Sequence, residues 1–289
     1  MTRPCLPPDP NTRAPRFKAP PLSCDSHAHI FGDFSEFPLS PNRSFTPPEA
    51  PVADLLGMLG VLGVERAVIV HSSAYGTDTR VSEAALKAAP DRLRGVAVTG
   101  PETPYADLER LDQLGFSGSR LSTVVKGTAS FADLEAIAAR VHPFGWHIAV
   151  HVNRSDELAD LAPRLMALPN PIVVDHVARV RGDEGVQCRG YQALLELLRT
   201  DRCWVKLSAL HRTSSEKFPW SDMRPLIEEL LRTRPDRVVW GTDWPHVNQY
   251  DDMQNDGDLL DACAEWVGDD ALMRKILVDN PQKLYRFPE

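Results

Sequence analysis

The sequence contains no apolar run long enough to cross a bilayer as a helix, so a membrane is not an expected partner. Nor does it open with an apolar stretch and a small-residue cleavage site, and the cytoplasm is the expected location. Cysteine is scarce: Cys5, Cys24, Cys188, Cys203 and Cys263 are odd in number, and no two form a CxxC pair. That spacing argues against both a disulfide framework and a cysteine zinc site, leaving free thiols. Basic runs are missing as well. With a net charge of −8, nothing here tracks a phosphate backbone, and nucleic acid is not an expected partner. No solenoid repeat and no Gly/Ser-rich linker divides the chain, and the pattern leaves a homo-oligomer open.

Proline, by contrast, is concentrated at one end. Pro4, Pro7, Pro8, Pro10, Pro15, Pro20 and Pro21 each fix φ and remove a backbone donor, so neither helix nor central strand is expected there. Residues 1–21 therefore read as a Pro-rich extension, and 22–289 as one folded unit. A chain of this length buries enough surface to need no covalent staple.

From Cys24 onward, short apolar runs alternate with helical patterns. The runs are 24–30, 66–72, 93–99, 116–121, 147–153, 172–178, 204–209 and 238–243. Between them, apolar residues recur at i, i+3 and i+4, as in Leu55, Leu56, Leu59 and Leu62 before Gly63. Leu108, Leu111 and Leu114 precede Gly115 in the same way, with Thr103 and Pro104 reading as N-cap and first helical residue. A helix start is read at Ser155, segments 130–141, 191–200, 221–232 and 257–266 continue the pattern, and 269–279 adds a terminal helix. Strands alternating with helices imply a parallel sheet. The first strand lacks the Gly-rich phosphate turn of a dinucleotide binder and the strands number eight, so an α/β fold of the (β/α)8 TIM-barrel type is expected.

Polar residues within these runs carry the chemistry. His27 and His29 are two apart on the first strand and so share a face. His151, His176 and Asp243 end the fifth, sixth and eighth runs, where barrel enzymes place catalytic groups. A lone strand histidine is more often packing, but one site accounts for all five. Four imidazoles and a carboxylate have the ligand types of a divalent metal with an open position for water. His71, with Ser72 and Ser73, reads equally as pocket lining or packing. His142 and His147 fall at the wrong strand end and read as packing, His211 is placed to face a substrate, and His246 reads as structural.

The segments DSHAHIFGDFSEFPLSP (25–41), GFSGSRLS (115–122), VVDHVAR (173–179), VKLSALHR (205–212), VVWGTDWPHVN (238–248) and DNPQKLYRF (279–287) resemble the amidohydrolase superfamily. Within it they resemble the amidohydrolase-2 branch that contains the pyrone dicarboxylate lactonases. HxH alone is weak, whereas HxH together with WGTDWPH is specific to this branch. The resemblance implies that Asp243 is the general base, and that His27, His29 and His176 polarise the scissile carbonyl or surround a metal. Arg120, Arg179 and Arg212 match substrate-gripping arginines, Lys126 stands where relatives have another arginine, and Phe45 replaces a substrate-binding tyrosine. Ser72 and Asn248 are further substrate-binding candidates. Lys126 keeps the charge without the bidentate fork, and Phe45 cannot donate. A small anionic lactone other than the pyrone dicarboxylate is thus the expected substrate.

Metal-dependent members of the branch carry a histidine at the fifth strand. With His151 there, the resemblance implies a metal set of His27, His29, His151 and Asp243, zinc being the expected ion, and leaves His176 as acid/base. Rival readings are a metal-dependent decarboxylase with the same residues, an amidohydrolase acting on a nitrogen ring, and a non-catalytic binding protein on a barrel scaffold.

Overall fold

A computed structural model describes residues 3–124 and 129–288. Eight short strands form: β1 (Cys24–Ala28), β2 (Arg66–Val70), β3 (Leu93–Ala97), β4 (Phe116–Ser122), β5 (His147–His151), β6 (Ile172–Val174), β7 (Cys203–Leu207) and β8 (Val238–Trp240). Each pairs in parallel with the next, in sequence order. The ring closes where Ala28 bridges Trp244 in parallel, flanked by 2.8 Å bonds from Asp243 N to His27 O and from His29 N to Trp244 O. This is the expected (β/α)8 barrel.

Its helices include α1 (Val52–Leu62), α2 (Arg80–Ala88), α3 (Tyr105–Gln113), α4 (Leu134–Val141), α5 (Ser155–Ala167), α6 (Arg189–Leu198), α7 (Arg224–Thr233) and α8 (Asp256–Val267). Gly63 (φ 72°) and Gly115 (φ 97°) take the left-handed conformation that lets the chain leave α1 and α3. The start of α3 differs from expectation by one residue. Pro104 caps it, while Thr103 Oγ1 accepts from Gly100 N at 2.9 Å. The pattern did not single out α2, which buries Ser82 and Glu83 along with Val81, Ala85 and Leu86.

Two apolar clusters hold the barrel together. The inner one joins Val68, Val70, Val96, Ala149, Val173 and Val239 to Tyr285 and Phe287 near the end of the chain. A larger one packs the outer strand faces against residues such as Leu55, Leu59, Leu108 and Ile137 of the helices. At such fully buried positions a Leu→Ala change costs about 2–5 kcal/mol, so the strands are firm supports for whatever their ends present.

Those ends are shorter than the sequence suggested. β6 stops at Val174 and β8 at Trp240, so His176 and Asp243 sit on the turns that follow. His176, Val177, Ala178 and Arg179 all have φ between 48° and 54°. Each non-glycine residue in that conformation costs roughly 1–2 kcal/mol, so the turn persists only because its surroundings fix it. Val177 and Ala178 are wholly buried there, while His176 and Arg179, three apart, line the cavity described below.

Residues 3–17 run across the end of the barrel that carries these turns. Pro4 bridges Thr46, Cys5 N donates to Thr46 O at 2.9 Å, and Leu6 N donates to Gln249 O at 2.9 Å. Arg13 pairs with Asp258 at 2.5 Å and Asp261 at 2.8 Å. The segment thereby ties the loops that follow β1 and β8 to each other and to α8. No helix among the described residues is long and apolar enough to cross a membrane.

Candidate active site

A cavity opens at the C-terminal ends of the strands. His29, His151, His176 and Asp243 line it, and Arg120, Arg179 and Arg212 add three cations. Phe45, Ser72 and Asn248 complete the expected wall, joined by Ser73, Val124 and Val247. His27 lies beneath the floor with no exposed surface. Lys126 falls outside the described residues.

Asp243 is the hub. Its Oδ1 is 3.6 Å from Nε2 of both His27 and His29 and 3.9 Å from Nε2 of His176. Its Oδ2 is 3.0 Å from Arg212 Nη2. Burial alone would push the carboxyl up, but Arg212, His176 and the other imidazoles hold it well below the usual carboxylate range. It is therefore ionised at neutral pH.

The imidazoles are oriented by their other nitrogens. His29 Nδ1 is 2.7 Å from Val70 O, which can only accept, so Nδ1 carries hydrogen and Nε2 faces Asp243. His176 Nδ1 bonds Ser208 Oγ at 2.8 Å. Burial pushes that ring down, against Asp243 and Asp175, to about 4. His151 Nδ1 lies 3.1 Å from Ser122 Oγ, which also accepts from Val124 N at 3.0 Å. Burial, then Arg120 and His176, keep His151 neutral.

His27 Nε2, His29 Nε2 and Asp243 Oδ1 lie within 4.8 Å of one another, as do ligand atoms of His27, Asp175 and His176. His27 Nε2 is buried without a hydrogen-bond partner. Ligands about 2.1 Å from a tetrahedral zinc stand roughly 3.4 Å apart, so the first group fits a divalent ion in donor type and spacing. His151 belongs to neither group. Its place is the cavity wall above them.

Below the floor lie charges that the sequence pattern did not single out. Asp175 Oδ2 accepts from Arg120 Nε at 3.0 Å, and Asp175 Oδ1 is 3.2 Å from Lys206 Nζ. Lys206 and Asp175 have no exposed surface. Burial would raise the Asp175 carboxyl, but Lys206, His27 and Arg120 hold it well below its ordinary range. The signal was available, because a lysine inside the run WVKLSA and an aspartate inside IVVDHVA have no place in an apolar core without partners. Among the remaining histidines, both ring nitrogens of His147 and of His211 are buried without a hydrogen-bond partner, and His211 does not line the cavity. His71 bonds Ser82 Oγ at 2.9 Å and Gly76 O at 3.1 Å, and His246 bonds Asp256 at 3.0 Å.

A parallel barrel whose strand ends converge on histidines and one ionised aspartate defines a hydrolase-type metal or acid–base centre. Residues 24–287 match the family model described as Amidohydrolase, and the chain belongs to that family. It is 32% identical to a 4-sulfomuconolactone hydrolase of Hydrogenophaga intermedia, over 97% of this chain and 94% of that protein. It is 35% identical to a 2-pyrone-4,6-dicarboxylate hydrolase of Comamonas testosteroni, over 96% and 94%. Among solved structures, a probable 2-pyrone-4,6-dicarboxylic acid hydrolase of Acinetobacter baumannii, with citric acid bound, superposes with a TM-score of 0.80. It shares 26% identity, over 92% of this chain and 100% of that one. These matches side with an enzyme rather than with a binding scaffold.

Proposed function

We propose that this protein hydrolyses a small lactone bearing an anionic substituent, with Asp243 as the general base. The cations of the cavity carry the reading. Arg120 and Arg212 each have a carboxylate partner, whereas half-buried Arg179 has no ion pair among the described residues. Burial and the neighbouring Arg212 even weaken its hold on its own proton. A cation so placed needs a counter-charge, and a substrate anion in the cavity supplies it. The lactone hydrolases among the relatives support the same class of substrate.

In this reading, a water beside Asp243 Oδ1 gives up a proton to the carboxylate as its oxygen bonds to the ring carbonyl carbon. The ring C–O bond then breaks, and the departing oxygen takes the proton back, giving an open-chain hydroxy or oxo acid. Charge gathering on the carbonyl oxygen is met by imidazole N–H groups around the hub. Arg179 and Arg212 grip the anion and so orient the ester over Asp243. His27, His29 and Asp243 are the residues that would hold a zinc ion, which would supply Lewis-acid polarisation of the carbonyl.

Arg179→Met tests the substrate class, since it deletes the charge while keeping much of the length. For 2-pyrone-4,6-dicarboxylate or 4-sulfomuconolactone, KM should rise about 10- to 100-fold, the value of one charge-assisted contact. For neutral δ-valerolactone it should not move. Equal effects on both kinds of lactone overturn the anionic assignment.

A further inference from the structure

Lys206 is the most deeply buried cation near the site, and no step above uses it. It projects from β7 with no exposed surface. Its Nζ is 3.2 Å from His27 Nδ1 and 3.2 Å from Asp175 Oδ1. His27 Nδ1 is itself 3.4 Å from that same Asp175 oxygen, farther than a good hydrogen bond. Two groups could therefore settle the hydrogen of the His27 ring, and they demand opposite answers. Asp175 can only accept, and would call for hydrogen on Nδ1. Lys206 can only donate, and calls for a bare Nδ1 with the hydrogen on Nε2. An amine has hydrogens to give whether charged or neutral, so the demand does not depend on its titration. The shorter contact belongs to Lys206. Asp175, for its part, is already served by Arg120 at 3.0 Å.

We propose that Lys206 is a positioning residue that holds His27 as the Nε2–H tautomer. Two consequences follow from that one hydrogen. His27 Nε2 becomes a fixed donor, 3.6 Å from Asp243 Oδ1 and directed at that ionised carboxylate. It also ceases to be a free ligand atom. A divalent ion at His27, His29 and Asp243 would need the hydrogen moved to Nδ1, where it faces Asp175 as acceptor, and the Lys206 contact broken. Lys206 thus weakens metal capture by the very group whose spacing fits a metal. Neither the tautomer nor the metal affinity rests on the proposed hydrolytic reading.

The tautomer can be read directly in the wild-type enzyme by nitrogen-15 NMR of labelled histidine, with the His27 signals assigned by their loss in His27→Asn. The expected pattern is a protonated Nε2 and a bare Nδ1, and a protonated Nδ1 overturns the proposal. In Lys206→Met the His27 hydrogen should move to Nδ1, and zinc affinity, measured by competition with a chelator, should rise at least tenfold. Unchanged zinc affinity in a folded Lys206→Met protein also overturns it. Lys206→Gln restores a donor without an ammonium, and should return both the wild-type tautomer and weak zinc binding. If both Lys206 variants fail to fold, the wild-type spectrum still decides.

Discussion

Replacing Asp243 by asparagine isolates the base from everything else at the site. The residue has φ 69°, a conformation that asparagine tolerates better than other side chains, so the turn after β8 should survive. Shape and volume are also kept. What goes is the negative charge facing Arg212 at 3.0 Å and the imidazoles at 3.6 and 3.9 Å. Leaving Arg212 without its partner should cost stability, but the group borders an open cavity where water can reach it, so about 1–3 kcal/mol is expected. The kinetic loss should be larger. A positioned general base contributes about 10²- to 10⁴-fold, and an amide cannot take a proton from water near neutral pH. Turnover should therefore fall by at least about a hundredfold, or roughly 2.7 kcal/mol of barrier. KM should change less, because the arginines that hold the anion remain. The assay is ring opening followed by loss of lactone absorbance at saturating substrate, with circular dichroism to show that the variant is folded. A folded Asp243→Asn protein with kcat within tenfold of wild type would refute the role of base.

Three further outcomes are expected. With Asp243 held ionised and His176 neutral above about 4, kcat/KM should stay flat from about pH 5 to 8; an acid limb near 6.5 would show that an ordinary imidazole controls the reaction. Burial raises the Asp25 carboxyl to about 7, so the folded state keeps a proton that the unfolded chain releases at lower pH. The contribution of Asp25 is therefore lost as pH rises from about 4 to 7, so in urea melts across that window wild-type stability should fall relative to that of Asp25→Asn, whose amide can still serve Thr242. In the left-handed turn, Ala178→Gly relieves about 1–2 kcal/mol of backbone cost, against a lost methyl and greater unfolded-state freedom. It should change stability by less than about 1 kcal/mol, whereas Ala138→Gly inside α4 should be plainly destabilising; equal losses in thermal melts would deny the strain.

The barrel was legible because its strands are fully buried and read as continuous apolar runs, and because helix ends at Gly63 and Gly115 announce themselves. The principal ring of the site was legible for a related reason, since histidines and an aspartate at the ends of such runs have no packing role. Other features had no local signature. Helix α2 buries Ser82 and Glu83 beside Val81, Ala85 and Leu86, so its inward face carries few apolar residues. The turn from His176 to Arg179 uses Val and Ala at positive φ, against their own preference, so only its tertiary surroundings specify it. His151 illustrates a different limit. Its residue type suits a ligand, but its distance from the hub depends on where β5 ends relative to β1 and β8. Asp175 and Lys206 stood in plain view as charges within apolar runs, yet their pairing joins β7 to the turn after β6 across 31 positions of sequence.

The strap formed by residues 3–17 has a bearing on engineering. It sets Cys5 and Phe17 against the main apolar cluster, and it is bonded to Thr46, the neighbour of Phe45, and to Gln249, the neighbour of Asn248. Phe45 and Asn248 both line the cavity. A mutational library confined to the strap would therefore reshape the mouth from outside, sparing both the strands that give the enzyme its stability and the residues that face the reacting bond.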